Sequence, residues 1–67
     1  MIDLGIDVVE LANGRYQARV FLKDAPAGTL FLTPVPRNSA DEVTRDARAW
    51  IWAHYPDSNF GSLAELD

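Results

Sequence analysis

The sequence predicts an α+β fold: a three-stranded antiparallel sheet followed by one helix packed on one face, in the order β-β-β-α, with a short C-terminal tail. Three observations carry this expectation. Asn13-Gly14 stands between two apolar-patterned runs, and that pair is the strongest short-range hairpin signal. The run from Arg15 to Lys23 alternates in polarity residue by residue, as a strand with one buried face does. Ser39 and Glu42 have the spacing of a capping box ahead of a stretch with helical periodicity. Consecutive strands followed by a helix give a two-layer domain.

The first strand is expected over Ile2 to Leu11. Ile2, Leu4, Ile6 and Val8 are apolar at alternate positions, and then Val9 and Leu11 take up the opposite phase. Such a shift suggests a β-bulge around Asp7 to Val9, or else a short break. A two-residue type I′ turn at Asn13-Gly14, with positive φ at both residues, pairs Ala12 with Arg15, Leu11 with Tyr16 and Val9 with Ala18. Tyr16, Ala18, Val20 and Leu22 then share the core face with Val9 and Leu11. Arg15, Gln17, Arg19, Phe21 and Lys23 share the other. Asp24-Ala25-Pro26-Ala27-Gly28 reads as a second turn.

The third strand is expected from Thr29 to about Val35, with Leu30 and Leu32 toward the core and Phe31 outside near Phe21. Pro34 and Pro36 cannot donate to a ladder, so this strand ends there or lies at an edge. The helix starts after Ser39 and runs to about Tyr55, where Pro56 stops it. At roughly 100° per residue, Ala40, Val43, Ala47, Trp50, Ile51 and His54 form the buried stripe, and Asp41, Arg45, Arg48 and Trp52 lie opposite. In the tail, Phe60, Leu63 and Leu66 are available to fold back onto the domain.

Composition narrows the function classes. The chain has 67 residues, 48% of them hydrophobic, and a formal net charge of −4. That is enough apolar material for one small core, and the acidic balance argues against a general nucleic-acid binder. With no cysteine, disulfides and thiolate metal sites are excluded. No basic start followed by an apolar run marks a signal peptide, and no apolar stretch approaches the roughly 20 residues of a membrane span. The expectation is a cytoplasmic protein with no membrane contact.

No nucleotide-binding loop, zinc spacing or nucleophile motif is present. His54 stands alone on the predicted buried stripe, one residue before the helix stops. The simplest reading is a core or helix-end histidine; Asp57 nearby gives it a partner but no nucleophile to serve. Asp41, Glu42 and Asp46 complement the positive end of the helix dipole. Neither catalysis nor a cofactor is expected.

Two surfaces remain as candidate partner sites. One is the open sheet face, with Arg15, Arg19, Phe21 and Lys23 on strand two and Thr29, Phe31 and Thr33 beside them. A basic face with exposed aromatics can stack bases or grip phosphates. Asp3 and Asp7 on the same face oppose that reading. A Phe21–Phe31 cross-strand pair or a dimer contact would also explain the aromatics. The other surface is Trp52 with Arg45 and Arg48, residue types enriched at interface hot spots, unless Phe60, Leu63 or Leu66 covers the indole.

Gly14-Arg15-Tyr16-Gln17-Ala18-Arg19-Val20 looks like the glycine-led second strand of HicB-type antitoxin domains, and Ser39-Ala40-Asp41-Glu42 like their capped helix entry. From Gly14 to about Tyr55 the pattern resembles their partial RNase H-like β-β-β-α unit. The family's apolar Pro-Gly-Cys turn is missing, Ala25-Pro26-Ala27-Gly28 standing nearest to it, and there is no separate DNA-binding segment. The resemblance implies the fold more than the function. Size, acidity and the lack of catalytic residues also resemble phage-encoded inhibitors, anti-CRISPR proteins among them. The expected function is therefore a protein-binding or inhibitor module acting by surface contact, on a protein partner or as a homodimer, with nucleic-acid contact through the sheet face as the alternative.

Overall fold

The computed structural model describes residues 2–60, and the expectations for Leu63 and Leu66 fall outside them. Apolar alternation from Leu4 to Val8 and from Tyr16 to Leu22 folds into two strands, β1 (Leu4–Glu10) and β2 (Tyr16–Leu22). A short β3 (Phe31–Leu32) pairs with the far edge of β2, giving an antiparallel sheet of order β1-β2-β3. Helix α1 (Ala40–His54) follows. The α+β, β-β-β-α expectation is met. No helix among the described residues is long and apolar enough to cross a membrane.

The β1–β2 register corrects the expected one. Leu4 pairs with Leu22, Ile6 with Val20, Val8 with Ala18 and Val9 with Gln17, without interruption, so there is no bulge at Asp7 to Val9. The hairpin loop is one residue longer than a two-residue turn, Arg15 pairing with Leu11 and not with Ala12. The Leu11 N–H donates to the Arg15 carbonyl at 2.7 Å, and the Gly14 N–H to the Leu11 carbonyl at 3.0 Å. Ala12, Asn13 and Gly14 thus form a three-residue loop, a turn completed by one left-handed residue. Gly14 (φ 78°) is the one described residue with positive φ, whereas a type I′ turn needs two. The Asn13 side chain accepts from the Arg15 N–H and holds the loop. A one-residue difference in register moves every side chain to the other face. Leu4, Ile6 and Val8 therefore share the core face with Ala18, Val20 and Leu22, and Val9 and Leu11 lie on the open face.

The third strand is corrected in both phase and length. Phe31 pairs with Val20 on the core side and Leu32 with Arg19 on the open side. Phe31 stacks on Trp50 with centroids 4.5 Å apart and an interplanar angle of 6°, so no Phe21–Phe31 pair forms. Leu30 and Leu32, expected in the core, are 36% and 48% exposed. Thr33, expected on the open face, is fully buried. Its N–H donates to the Ala18 carbonyl, and its Oγ1 accepts from the Ala18 N–H at 3.0 Å. The hydroxyl thus takes the place of a ladder carbonyl where Pro34 is about to leave the sheet. The chain loops out through Pro34 to Pro36 and returns at Arg37, which exchanges backbone bonds with Tyr16 at 2.8 and 3.0 Å.

Ser39 caps α1 as expected: its Oγ accepts from the Glu42 N–H, and the Glu42 carboxylate accepts from the Asn38 N–H. Val43, Ala47 and Ile51 are fully buried against Leu4, Ala18 and Val20. Trp50 is partly buried beside them. Ala40 and His54, expected on the buried stripe, are exposed. They are the first and last residues of the helix, and the His54 ring stacks on Trp50 with centroids 4.7 Å apart.

After the helix the chain returns to β1. Ser58 forms a parallel bridge with Ile2, and the Asn59 N–H donates to the Ile2 carbonyl. The Asn59 side chain then pairs with Leu4 as a peptide group would: Oδ1 accepts from the Leu4 N–H at 2.8 Å and Nδ2 donates to the Leu4 carbonyl at 3.0 Å.

Candidate functional site

The helix covers one face of the sheet, and among the described residues no element covers the other. Alternation along the strands assembles that open face: Gly5, Asp7 and Val9 from β1, Gln17, Arg19 and Phe21 from β2, and Leu32 from β3. Its centre is a fixed stack. Phe21 lies over Gly5, where a Cβ would come within 2.4 Å of the ring. The Arg19 guanidinium sits 4.6 Å from the Phe21 centroid. Only glycine leaves room for this layering.

Arg19 is thoroughly occupied. Nη2 pairs with the Asp7 carboxylate at 2.7 Å, and Nη1 donates to the Pro26 and Gly28 carbonyls at 2.9 and 3.2 Å. It therefore ties β1, β2 and the second turn together. Lys23, at one end of the face, has the Asp3 carboxylate 3.9 Å away, and Arg15 is exposed at the hairpin end. Asp3 and Asp7 oppose the basic groups, as the alternation predicts. Around this neutralised centre lie exposed apolar side chains, Val9 (44%) and Leu32 (48%).

Of the predicted site residues, Arg19 and Phe21 come together and Arg15 and Lys23 flank them. Phe31 does not belong here, because it faces the helix. Arg45, Arg48 and Trp52 belong to the other layer of the domain. Arg45 is exposed and Arg48 half-buried, with its guanidinium 5.4 Å from the Trp52 ring centroid. Trp52 itself is half-buried and donates its indole N–H to the Phe60 carbonyl at 2.6 Å. Of the residues expected to cover Trp52, Phe60 is in contact with it through this bond, and Leu63 and Leu66 lie outside the described residues. Such a tethered indole is a weaker anchor for a partner than a free one.

Sequence reasoning missed Val9, Leu32 and Asn59. The unbroken alternation Leu4, Ile6, Val8 already implied an open-face Val9, but the Asn13-Gly14 turn pointed to the opposite phase. Leu30-Phe31-Leu32 is apolar in both phases, so periodicity carries no facing information there. A lone tail asparagine gives no signal of its pairing with a strand edge.

Among the described residues no group of three or more His, Asp or Glu is placed to hold a metal ion. No protein-family model, no curated protein and no solved structure matches the chain.

Proposed function

We propose that the chain is a non-catalytic protein-binding module that acts by surface contact through its open sheet face, in the manner of a small inhibitor. One observation carries this: a face that no described element covers, whose central arginine is already engaged and beside which apolar side chains stand exposed. Arg19 spends its donors on Asp7, Pro26 and Gly28, which leaves little for phosphate. With a net charge of −4, the surface as a whole repels a polyanion. Val9 and Leu32 on either side of a rigid Arg–Phe stack offer what protein interfaces use: exposed apolar area around a preorganised aromatic and arginine.

The test is capture from lysate of the source organism by the tagged chain, against a Val9→Lys/Leu32→Glu variant. Both positions are exposed, so the variant should keep the wild-type circular dichroism. A stoichiometric protein held by the wild type and lost by the variant is the expected result. A partner held equally by both, or nucleic acid held at low salt and released steeply as salt rises, would overturn the assignment.

A further inference from the structure

The outer edge of β1 is a second surface, independent of the open face. In an antiparallel ladder, alternate residues aim both N–H and C=O at the same neighbour. The Asp3 carbonyl and the Leu11 N–H bond to Lys23 and Arg15, so the odd-numbered residues of β1 face β2. The even-numbered residues therefore face outward. Leu4 does so, and Asn59 occupies both of its groups. Ile6, Val8 and Glu10 follow it along the same edge, and among the described residues no hydrogen bond reaches their outward backbone groups. Val8 is 41% exposed. The opposite edge of the sheet offers no such row, since β3 has two residues and gives way to Pro34 and Pro36.

From this geometry we infer that β1 pairs antiparallel with β1 of a second copy of the chain, about a two-fold axis at Val8, to form one continuous six-stranded sheet. The free stretch is self-complementary in this register alone. Centred on Val8, Val8 meets its own copy and Ile6 meets Glu10, so every outward group of the three residues is used, in roughly six backbone hydrogen bonds. Moving the centre by one residue in either direction brings Leu4, already filled by Asn59, or Ala12, in the hairpin loop, against the partner strand. Charge also permits it. The two Glu10 carboxylates lie at opposite ends, about 14 Å apart along the strands, beyond the screening distance at physiological salt. Asp7 falls opposite Val9 of the other copy and is already neutralised by Arg19. A closed two-fold contact of this kind also covers the edge of β1 that is unpaired among the described residues, which native sheets do not leave flat and bare.

The contact is an edge alone and is small, so dimerisation is expected between about 10 μM and 1 mM rather than at nanomolar concentration. The experiment is light scattering across that range on the full chain, with residue-resolved amide exchange, on wild type and Val8→Lys. Val8→Lys places two like charges directly opposite each other at a position exposed in the monomer. The expected result is a wild type that moves to twice the 7.4 kDa chain mass as protection rises at Ile6, Val8 and Glu10, and a folded, monomeric Val8→Lys. A wild type monomeric at 1 mM would overturn the inference. So would a dimer that survives Val8→Lys, or one lost in Val9→Lys/Leu32→Glu while Val8→Lys retains it, which would place the contact on the open face.

Discussion

Replacing Gly5 by alanine tests the stack at the centre of the open face. The new Cβ would lie 2.4, 2.8 and 2.9 Å from three atoms of the Phe21 ring, against an ordinary carbon contact of about 3.5–4 Å. The ring must move by roughly an ångström, and in moving it leaves the Arg19 guanidinium now 4.6 Å from its centroid. Overpacking of this kind costs about 1–3 kcal/mol. Alanine recovers about 0.5–1 kcal/mol over glycine in a strand, through the unfolded chain's entropy. The net expectation is a loss of roughly 0.5–2 kcal/mol, which for a domain of this size lowers Tm by about 3–15 °C. Urea denaturation should show a lower midpoint at unchanged slope. The double-mutant cycle with Phe21→Ala is the sharper assay. With the ring gone the clash is gone, so Gly5→Ala in that background should be neutral or stabilising. If Gly5→Ala alone is as stable as wild type and leaves the Phe21 ring resonances unshifted, the stack is not the constraint described.

Two further substitutions probe how the sheet ends are satisfied. Thr33→Val keeps the shape but leaves the buried Ala18 N–H without its Oγ1 acceptor; it should cost about 1–3 kcal/mol, with faster exchange of the Ala18 amide, whereas Thr33→Ser should retain that protection. Asn59→Ala removes both bonds to the Leu4 backbone and should cost about 2–4 kcal/mol by urea denaturation. Equal stability in either case would show that water or another group serves as well.

The elements were legible because each had a local cause. Ser39, Glu42 and Pro56 bound the helix, and the spacing of Val43, Ala47 and Ile51 oriented it. The strands followed from alternation. What was not legible depended on choices that local chemistry leaves balanced. Asn13-Gly14 is compatible with a two-residue loop, and with a three-residue loop in which only Gly14 takes positive φ. The difference is one residue, yet it decides whether Val9 is core or surface. Phe31 against Leu30 and Leu32 was a second even choice, settled by the flat stacking of Phe31 on Trp50, a contact between residues far apart in sequence. The open face was thus half readable. Arg19 and Phe21 were assigned to it correctly, but Arg19's engagement by Asp7 and two turn carbonyls gives the face a neutralised centre with exposed apolar side chains beside it.

Both the make-up of that face and the freedom of the β1 edge rest on the β1–β2 register, so the most direct measurement is residue-resolved amide exchange along β1 in dilute solution. The described register predicts protection at Gly5, Asp7 and Val9, whose N–H groups face β2, and fast exchange at Ile6, Val8 and Glu10. Protection of Val8 and Glu10 in the dilute monomer, with Val9 and Leu11 exchanging freely, would mean a two-residue hairpin loop. Val9 would then return to the core, and neither surface proposed for this chain would stand.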